Sequence, residues 1–179
     1  NTLKKYNLDK PFIIYTGNLY PHKNINFLIK AVGVFNNSHK HQLTLAIACA
    51  RSVFEKRLTK DSDIRYLGYV PDNDLAMLYS QSLALVHPSL IEGFGLTGLE
   101  AMAAGLPVLS SDATCLPEVY GEAALYFDPY NQKSLILRLE QIMEDRDLLK
   151  DLKEKGYLRV KSFSWDRTAK ETIKAYQAI

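Results

Sequence analysis

Basic side chains are missing from the middle of this 179-residue chain: between Tyr66 and Gln132 there is neither Lys nor Arg. A stretch of that length without them reads as core and binding site, not as a face for a polyanion. The chain as a whole has no basic excess either. Its 22 Lys and Arg meet 20 Asp and Glu, and the net charge of +2 falls far short of what a dedicated nucleic-acid binder carries, so no nucleic acid is expected as a partner. Cysteine is scarce, and Cys49 and Cys115 fit neither a zinc-ligand spacing nor a disulfide framework, which points to a reducing, cytoplasmic compartment. No apolar run approaches the roughly 20 residues of a membrane span, and no signal-peptide pattern opens the chain. Asn1 stands where a complete protein begins with Met, so the expectation is a piece of something longer.

What is present is the composition of an ordinary globular domain, 47% hydrophobic and 23% charged, long enough for one sizeable core. Phe12-Ile13-Ile14-Tyr15, closed by Thr16-Gly17, reads as a buried strand. Asn24 to Phe35 then spaces Phe27, Leu28, Ala31, Val32 and Phe35 as a helix does. The alternation continues. Strands are expected at Leu43 to Ala48, Ile64 to Leu67, Leu83 to Val86, Val108-Leu109 and Ala124 to Phe127. Between them fall helices at Ser52 to Lys60, from Pro71-Asp72 to Ser80 with Asp72 as N-cap, and at Thr97 to Ala104. The 19 charged residues between 131 and 179 mark a solvated helical tail, with helices at Gln132 to Asp145, Leu148 to Lys161 and from Trp165 onward behind Ser164 as N-cap. This pattern predicts an α/β, Rossmann-like open parallel sheet of about six strands with helices on both faces.

In such a sheet ligands bind beyond the carboxyl ends of the strands, where strand order reverses. The loop after the first strand, Thr16 to Asn24, holds a single Gly and fails the dinucleotide fingerprint, so no nicotinamide or flavin cofactor is expected. The loop after the fourth strand, His87 to Thr97, is different. Gly93 and Gly95 let backbone N–H groups approach a ligand, and the following helix offers unpaired donors and a positive dipole end, the makings of an anion site. With no basic residue nearby in sequence, Lys23 is the side chain expected to reach in. Two carboxylates flank the loop. Glu100 has two readings that the sequence leaves open: the Thr97-x-x-Glu100 capping box, or an outward carboxylate gripping a diol. Glu92 has no local capping role. Near the loop there is no Asp-x-Asp or His/Asp cluster, so no metal is expected.

The run Pro88 to Val108, continued by Leu116-Pro117-Glu118-Val119, resembles the donor-domain signature of retaining, family-4-type GT-B glycosyltransferases, with Glu92 and Glu100 as its E-x7-E pair. Tyr15-Thr16-Gly17 with Lys23-Asn24, Tyr66 to Val70, and Phe163-Ser164-Trp165 match in order, so the resemblance spans most of the chain. It implies that residues 1–179 are the C-terminal, nucleotide-sugar-binding half of such an enzyme, with an acceptor-binding half preceding Asn1. Glu100 would bind the ribose and Glu92 the donor sugar. The backbone of Gly93, Phe94, Gly95, Leu96 and Thr97 would hold the diphosphate together with Gly17 and Asn18, Lys23 would stabilise the leaving group, and Tyr69 and Val70 would lie beside the base. The family often has Arg where this chain has Asn18, which removes part of the diphosphate clamp. The similarity of Gly17 to Asn24 to mannosyltransferase-like members favours GDP-mannose as donor. It also implies a glycan or lipid-linked acceptor in bacterial polysaccharide biosynthesis, at the inner face of the membrane, and little activity of this half alone. A nucleotide-sugar epimerase of the same shape and a non-catalytic nucleotide-binding module are the competing expectations.

Overall fold

The computed structural model describes residues 2–9, 11–50, 52–59 and 61–178. A short helix α1 (Thr2–Lys5) leads into strand β1 (Phe12–Thr16), helix α2 (Ile25–Ser38), β2 (Thr44–Ala48), β3 (Ile64–Gly68), α3 (Asp72–Gln81), β4 (Leu85–His87), α4 (Leu96–Ala103), β5 (Val108–Ser111), α5 (Leu116–Tyr120) and β6 (Ala124–Phe127). Helices α6 (Gln132–Glu144), α7 (Arg146–Val160) and α8 (Trp165–Gln177) close the chain.

All strand pairs are parallel, in the order β3-β2-β1-β4-β5-β6. Successive side chains on a strand point to opposite faces, and β1 builds both cores by that rule. Ile13 and Tyr15 face α2 and α6, joining Leu28, Val32, Phe35, Leu135 and Leu139. Phe12 and Ile14 face the other way, toward Leu78, Tyr79, Leu99, Met102 and Tyr120 of α3, α4 and α5. The sheet is therefore covered on both sides, as its apolar strands require. Strand order reverses between β1 and β4, so the crevice of this fold lies over the carboxyl ends of those two strands. Ser164 caps α8 by accepting from the Arg167 N–H, as its position in the sequence suggests.

Several expectations do not hold. The helix expected at Ser52 to Lys60 is only a 3-10 turn at Glu55–Arg57, with Lys60 outside the described residues. Side chains take the bonds a helix would use: Ser52 Oγ accepts from the Phe54 N–H, and Asn26 of α2 holds both the Arg57 carbonyl and the Thr59 N–H. Asp72 is the first residue of α3 with Pro71 before it at the cap position; its neighbour Asp74 is held by Lys5 and Tyr6 of α1. Strand β4 runs one residue further than expected, so His87 belongs to the strand end and not to the loop.

Candidate functional site

The loop from Pro88 to Gly95 lies at the reversal point of the sheet and is tied down from several sides. The Leu90 N–H donates to the His22 carbonyl beyond β1, Ser111 Oγ of β5 donates to the Ser89 carbonyl, and the Glu92 N–H donates to Thr114 Oγ1. Within this frame the Glu92 side chain, 11% exposed, gathers three donors on one oxygen. Lys23 Nζ reaches Oε1 at 2.5 Å, His87 Nε2 at 2.7 Å and Ser89 Oγ at 2.7 Å. Burial by itself would raise this carboxyl, but the bonds from His87, Lys23 and Ser89 outweigh it and hold the group at about 2, well below its ordinary 4.5. Glu92 is thus an ionised carboxylate with Oε1 saturated, while Oε2 has no hydrogen-bond partner among the described residues.

Gly95 stands at the N-cap of α4 with φ of +95°, a left-handed turn that favours glycine, and no side chain caps the helix. Thr97 is therefore inside the helix, the capping box is not formed, and Glu100 is left with an exposed carboxylate without a hydrogen-bond partner among the described residues. The capping reading of Glu100 is not met, and its side chain is exposed. Its charge is felt by Tyr79, whose hydroxyl is pushed up to about 12, first by burial and, against the lowering effect of the Thr16 hydrogen bond, by Glu100. Tyr79 meets Thr16 Oγ1 of β1 at 3.0 Å.

The remaining residues singled out in the sequence are spread along the same edge. Asn18 is exposed and accepts from the Tyr20 N–H, which orders its own loop, while its carbonyl accepts from Tyr15 Oη at 2.5 Å. Gly93, Phe94 and Leu96 are exposed, and Phe94 meets Phe163 edge-on, with ring centroids 5.7 Å apart. Tyr69 is largely exposed and Val70 buried, both at the far end of the sheet beyond β3. An open cleft of about 400 Å³ lies there between Leu19, Cys49, Glu55, Tyr66 and Tyr69. The structure brings Lys23 and Glu92 into contact and sets the α4 N-terminus close by, whereas Tyr69 and Val70 lie two strands away from β1. Among the described residues no three His, Cys, Asp or Glu gather where they could hold a metal ion, and no helix is long and apolar enough to cross a membrane.

Three side chains of the site were not singled out in the sequence: His87, Ser89 and Tyr120. Ser89 lies three residues and His87 five residues before Glu92, and the strand-end position of His87 was the available signal. Tyr120 had none. It is fully buried in α5, its hydroxyl donates to the Gly95 carbonyl at 2.7 Å and lies 2.8 Å from His87 Nδ1. The ring occupies the space left by two glycines: a Cβ at Gly98 would stand 2.3 Å from Tyr120 Cζ, and one at Gly95 would stand 2.5 Å from its hydroxyl.

An open parallel sheet with an uncapped helix N-terminus and a lysine-paired carboxylate at its reversal point defines a Rossmann-like α/β domain of the kind found in GT-B glycosyltransferases. The comparisons make the family specific. The profile of "Glycosyl transferases group 1" matches residues 3–159, and the chain belongs to that family. It is 36% identical to the O-antigen chain mannosyltransferase B of Escherichia coli over 99% of this chain and 49% of that protein. It is likewise 36% identical to the O-antigen chain mannosyltransferase RfbU of Salmonella typhimurium over 73% of this chain and 39% of the relative. The solved sucrose-phosphate synthase of Thermosynechococcus elongatus superposes with a TM-score of 0.78 at 27% identity, covering 99% of this chain and 48% of that one. The chain spans about half the length of the curated relatives it matches, or less.

Proposed function

We propose that this domain holds a nucleotide-diphosphate sugar, with GDP-mannose the favoured donor, for transfer of the hexosyl group to an acceptor hydroxyl with retention of configuration. The observation that carries the reading is Glu92, an ionised carboxylate clamped through Oε1 with Oε2 free, beside the uncapped N-terminus of α4. A diphosphate seated against the amides from Gly93 to Thr97 would put the sugar within reach of Oε2, and Glu100 would accept from the ribose hydroxyls. As the anomeric bond breaks, negative charge grows on the diphosphate, and the helix N-terminus and Lys23 stabilise it where it forms. Lys23 is paired with Glu92 in this structure, so taking up that role means a move of its flexible side chain from the carboxylate to the diphosphate. Mannose is supported by the names of the O-antigen relatives.

The acceptor, a glycan or lipid-linked sugar, would be bound by a second half of the longer protein, and that half or its acceptor would bring the enzyme to the membrane surface. Orienting an acceptor hydroxyl supplies much of the rate, with effective molarities of about 10⁵–10⁸ M in well-oriented cases. The 179-residue chain should therefore bind donor without turning it over. Calorimetry with GDP, UDP, ADP and their sugar conjugates, followed by transfer assays on this chain and on the full-length protein, tests this. The expected result is GDP-mannose binding by both, transfer by the full-length protein alone, and loss of transfer in full-length Lys23→Ala. Failure to bind any of the panel, or normal transfer by Lys23→Ala, would overturn it.

A further inference from the structure

Glu92 and Gly95 are three residues apart in one loop, and besides the backbone a chain of side-chain contacts joins them through the protein interior. Glu92 Oε1 meets His87 Nε2 at 2.7 Å, His87 Nδ1 meets Tyr120 Oη at 2.8 Å, and Tyr120 Oη donates to the Gly95 carbonyl at 2.7 Å. Both rings are buried, His87 at 5% exposure and Tyr120 at none. Each ring is rigid, and each is seated on a different element, His87 at the end of β4 and Tyr120 on α5. The glycines at 95 and 98 exist in a form that admits the Tyr120 ring, since a Cβ at either would overlap it. A hydroxyl is not needed to fill that space, because Phe would fill nearly all of it. The hydroxyl is needed to hold the Gly95 carbonyl and to meet His87.

We infer that His87 and Tyr120 are positioning residues, a buried strut that fixes the sugar-facing carboxylate of Glu92 in register with the diphosphate-facing turn at Gly95. The inference rests on the donor-site reading above. The exposed Gly93 and Phe94 leave freedom between Glu92 and the buried Gly95, and a ligand that must span those two points loses affinity for every conformation in which they are out of register. The strut removes that freedom from inside, without touching the ligand. It acts on a nucleotide sugar, which engages both points, more than on a nucleoside diphosphate, which engages only the turn.

The experiment is a double-mutant cycle on nucleotide-sugar binding, since coupled side chains give penalties that do not multiply. GDP-mannose and GDP are titrated calorimetrically into wild type, Tyr120→Phe, Glu92→Gln and the double variant. Tyr120→Phe is expected to weaken GDP-mannose about tenfold in the wild-type background, a hydrogen-bond-sized loss, and no more than about twofold once Glu92 is Gln, with GDP affinity changed less than GDP-mannose affinity in both. Should Tyr120→Phe fail to fold, His87→Asn takes its place in the cycle, because an Asn amide can mimic the Nδ1 side toward Tyr120 but cannot reach Glu92. It carries the same expectation. Penalties that multiply in the double variant, or equal losses for GDP and GDP-mannose, would reduce the pair to ordinary core packing and overturn the strut. Wild type that binds neither ligand would instead remove the donor-site reading, and the strut's role with it.

Discussion

Replacing Gly98 by Ala sets local propensity against packing. Near the start of a helix, Gly→Ala ordinarily stabilises by up to about 1 kcal/mol, because Ala loses less backbone freedom on folding. Here the added Cβ would stand 2.3 Å from Tyr120 Cζ and 2.4 Å from its hydroxyl, where ordinary contact begins at 3.4 Å. The ring must shift by about an ångström, and it is locked in a core with no free side to move into. Overpacking of this kind costs about 1–3 kcal/mol. The shift also breaks the bond that the Tyr120 hydroxyl donates to the Gly95 carbonyl and the contact between that hydroxyl and His87 Nδ1, at about 1 kcal/mol each. With the propensity gain subtracted, Gly98→Ala should destabilise the chain by about 2–4 kcal/mol, which for its size lowers Tm by about 4–16 °C. Thermal melting followed by circular dichroism measures it. In a Tyr120→Val background, where the ring is gone, the same Gly98→Ala change should be neutral or stabilising. An unchanged or raised Tm in the wild-type background, or an equal loss in both, would refute the fit of glycine to tyrosine.

Glu100→Gln should weaken nucleoside-diphosphate binding about tenfold while leaving Tm within a degree or so, because a charge-assisted grip on hydroxyls is lost and no capping bond exists to lose. A lowered Tm at unchanged affinity would restore the capping role. Acid melting tests Glu92: its carboxyl is held at about 2 in the folded chain against 4.5 ordinarily, so its stabilising contribution is complete above pH 4.5 and is lost as pH falls toward 2. Wild type should therefore lose Tm more steeply across that window than Glu92→Gln, and parallel curves would contradict the clamp. Excess chelator should leave nucleotide affinity unchanged, since among the described residues no metal-ligand cluster borders the loop. A severalfold loss would show that the site needs an ion.

Much of the architecture could be read from the sequence because it rests on local periodicity. Phe12 to Tyr15, Asn24 to Phe35 and Ala124 to Phe127 each carry the spacing of the element they form, and their alternation dictated a two-sided parallel sheet. The loop between His87 and Leu96 stood out as a candidate anion site because its glycines and the following helix are contiguous in the chain. The errors arise where non-local contacts decide. The helix expected at Ser52 to Lys60 is undone by Asn26, a residue of another element. The Thr97-to-Glu100 capping box is defeated by a helix whose cap falls two residues earlier, on Gly95. Lys23 pairs with Glu92, 69 residues away in sequence, a contact that spacing could not reveal. Tyr120 escaped notice for the same reason, since only the folded chain shows why residues 95 and 98 lack a Cβ.

The central claim is that a nucleotide sugar lies along one edge of the sheet, from Tyr69 across Gly17 to the loop at Glu92. Amide NMR of the ¹⁵N-labelled chain titrated with GDP-mannose tests it most directly. The expected result is a saturable titration with the largest shifts at Gly17, Asn18, Tyr69, Val70 and Gly93 to Glu100, and with the shifts at Gly93 to Thr97 but not those at Tyr69 reproduced by pyrophosphate. No saturable shifts, or shifts confined to residues away from this edge, would contradict it.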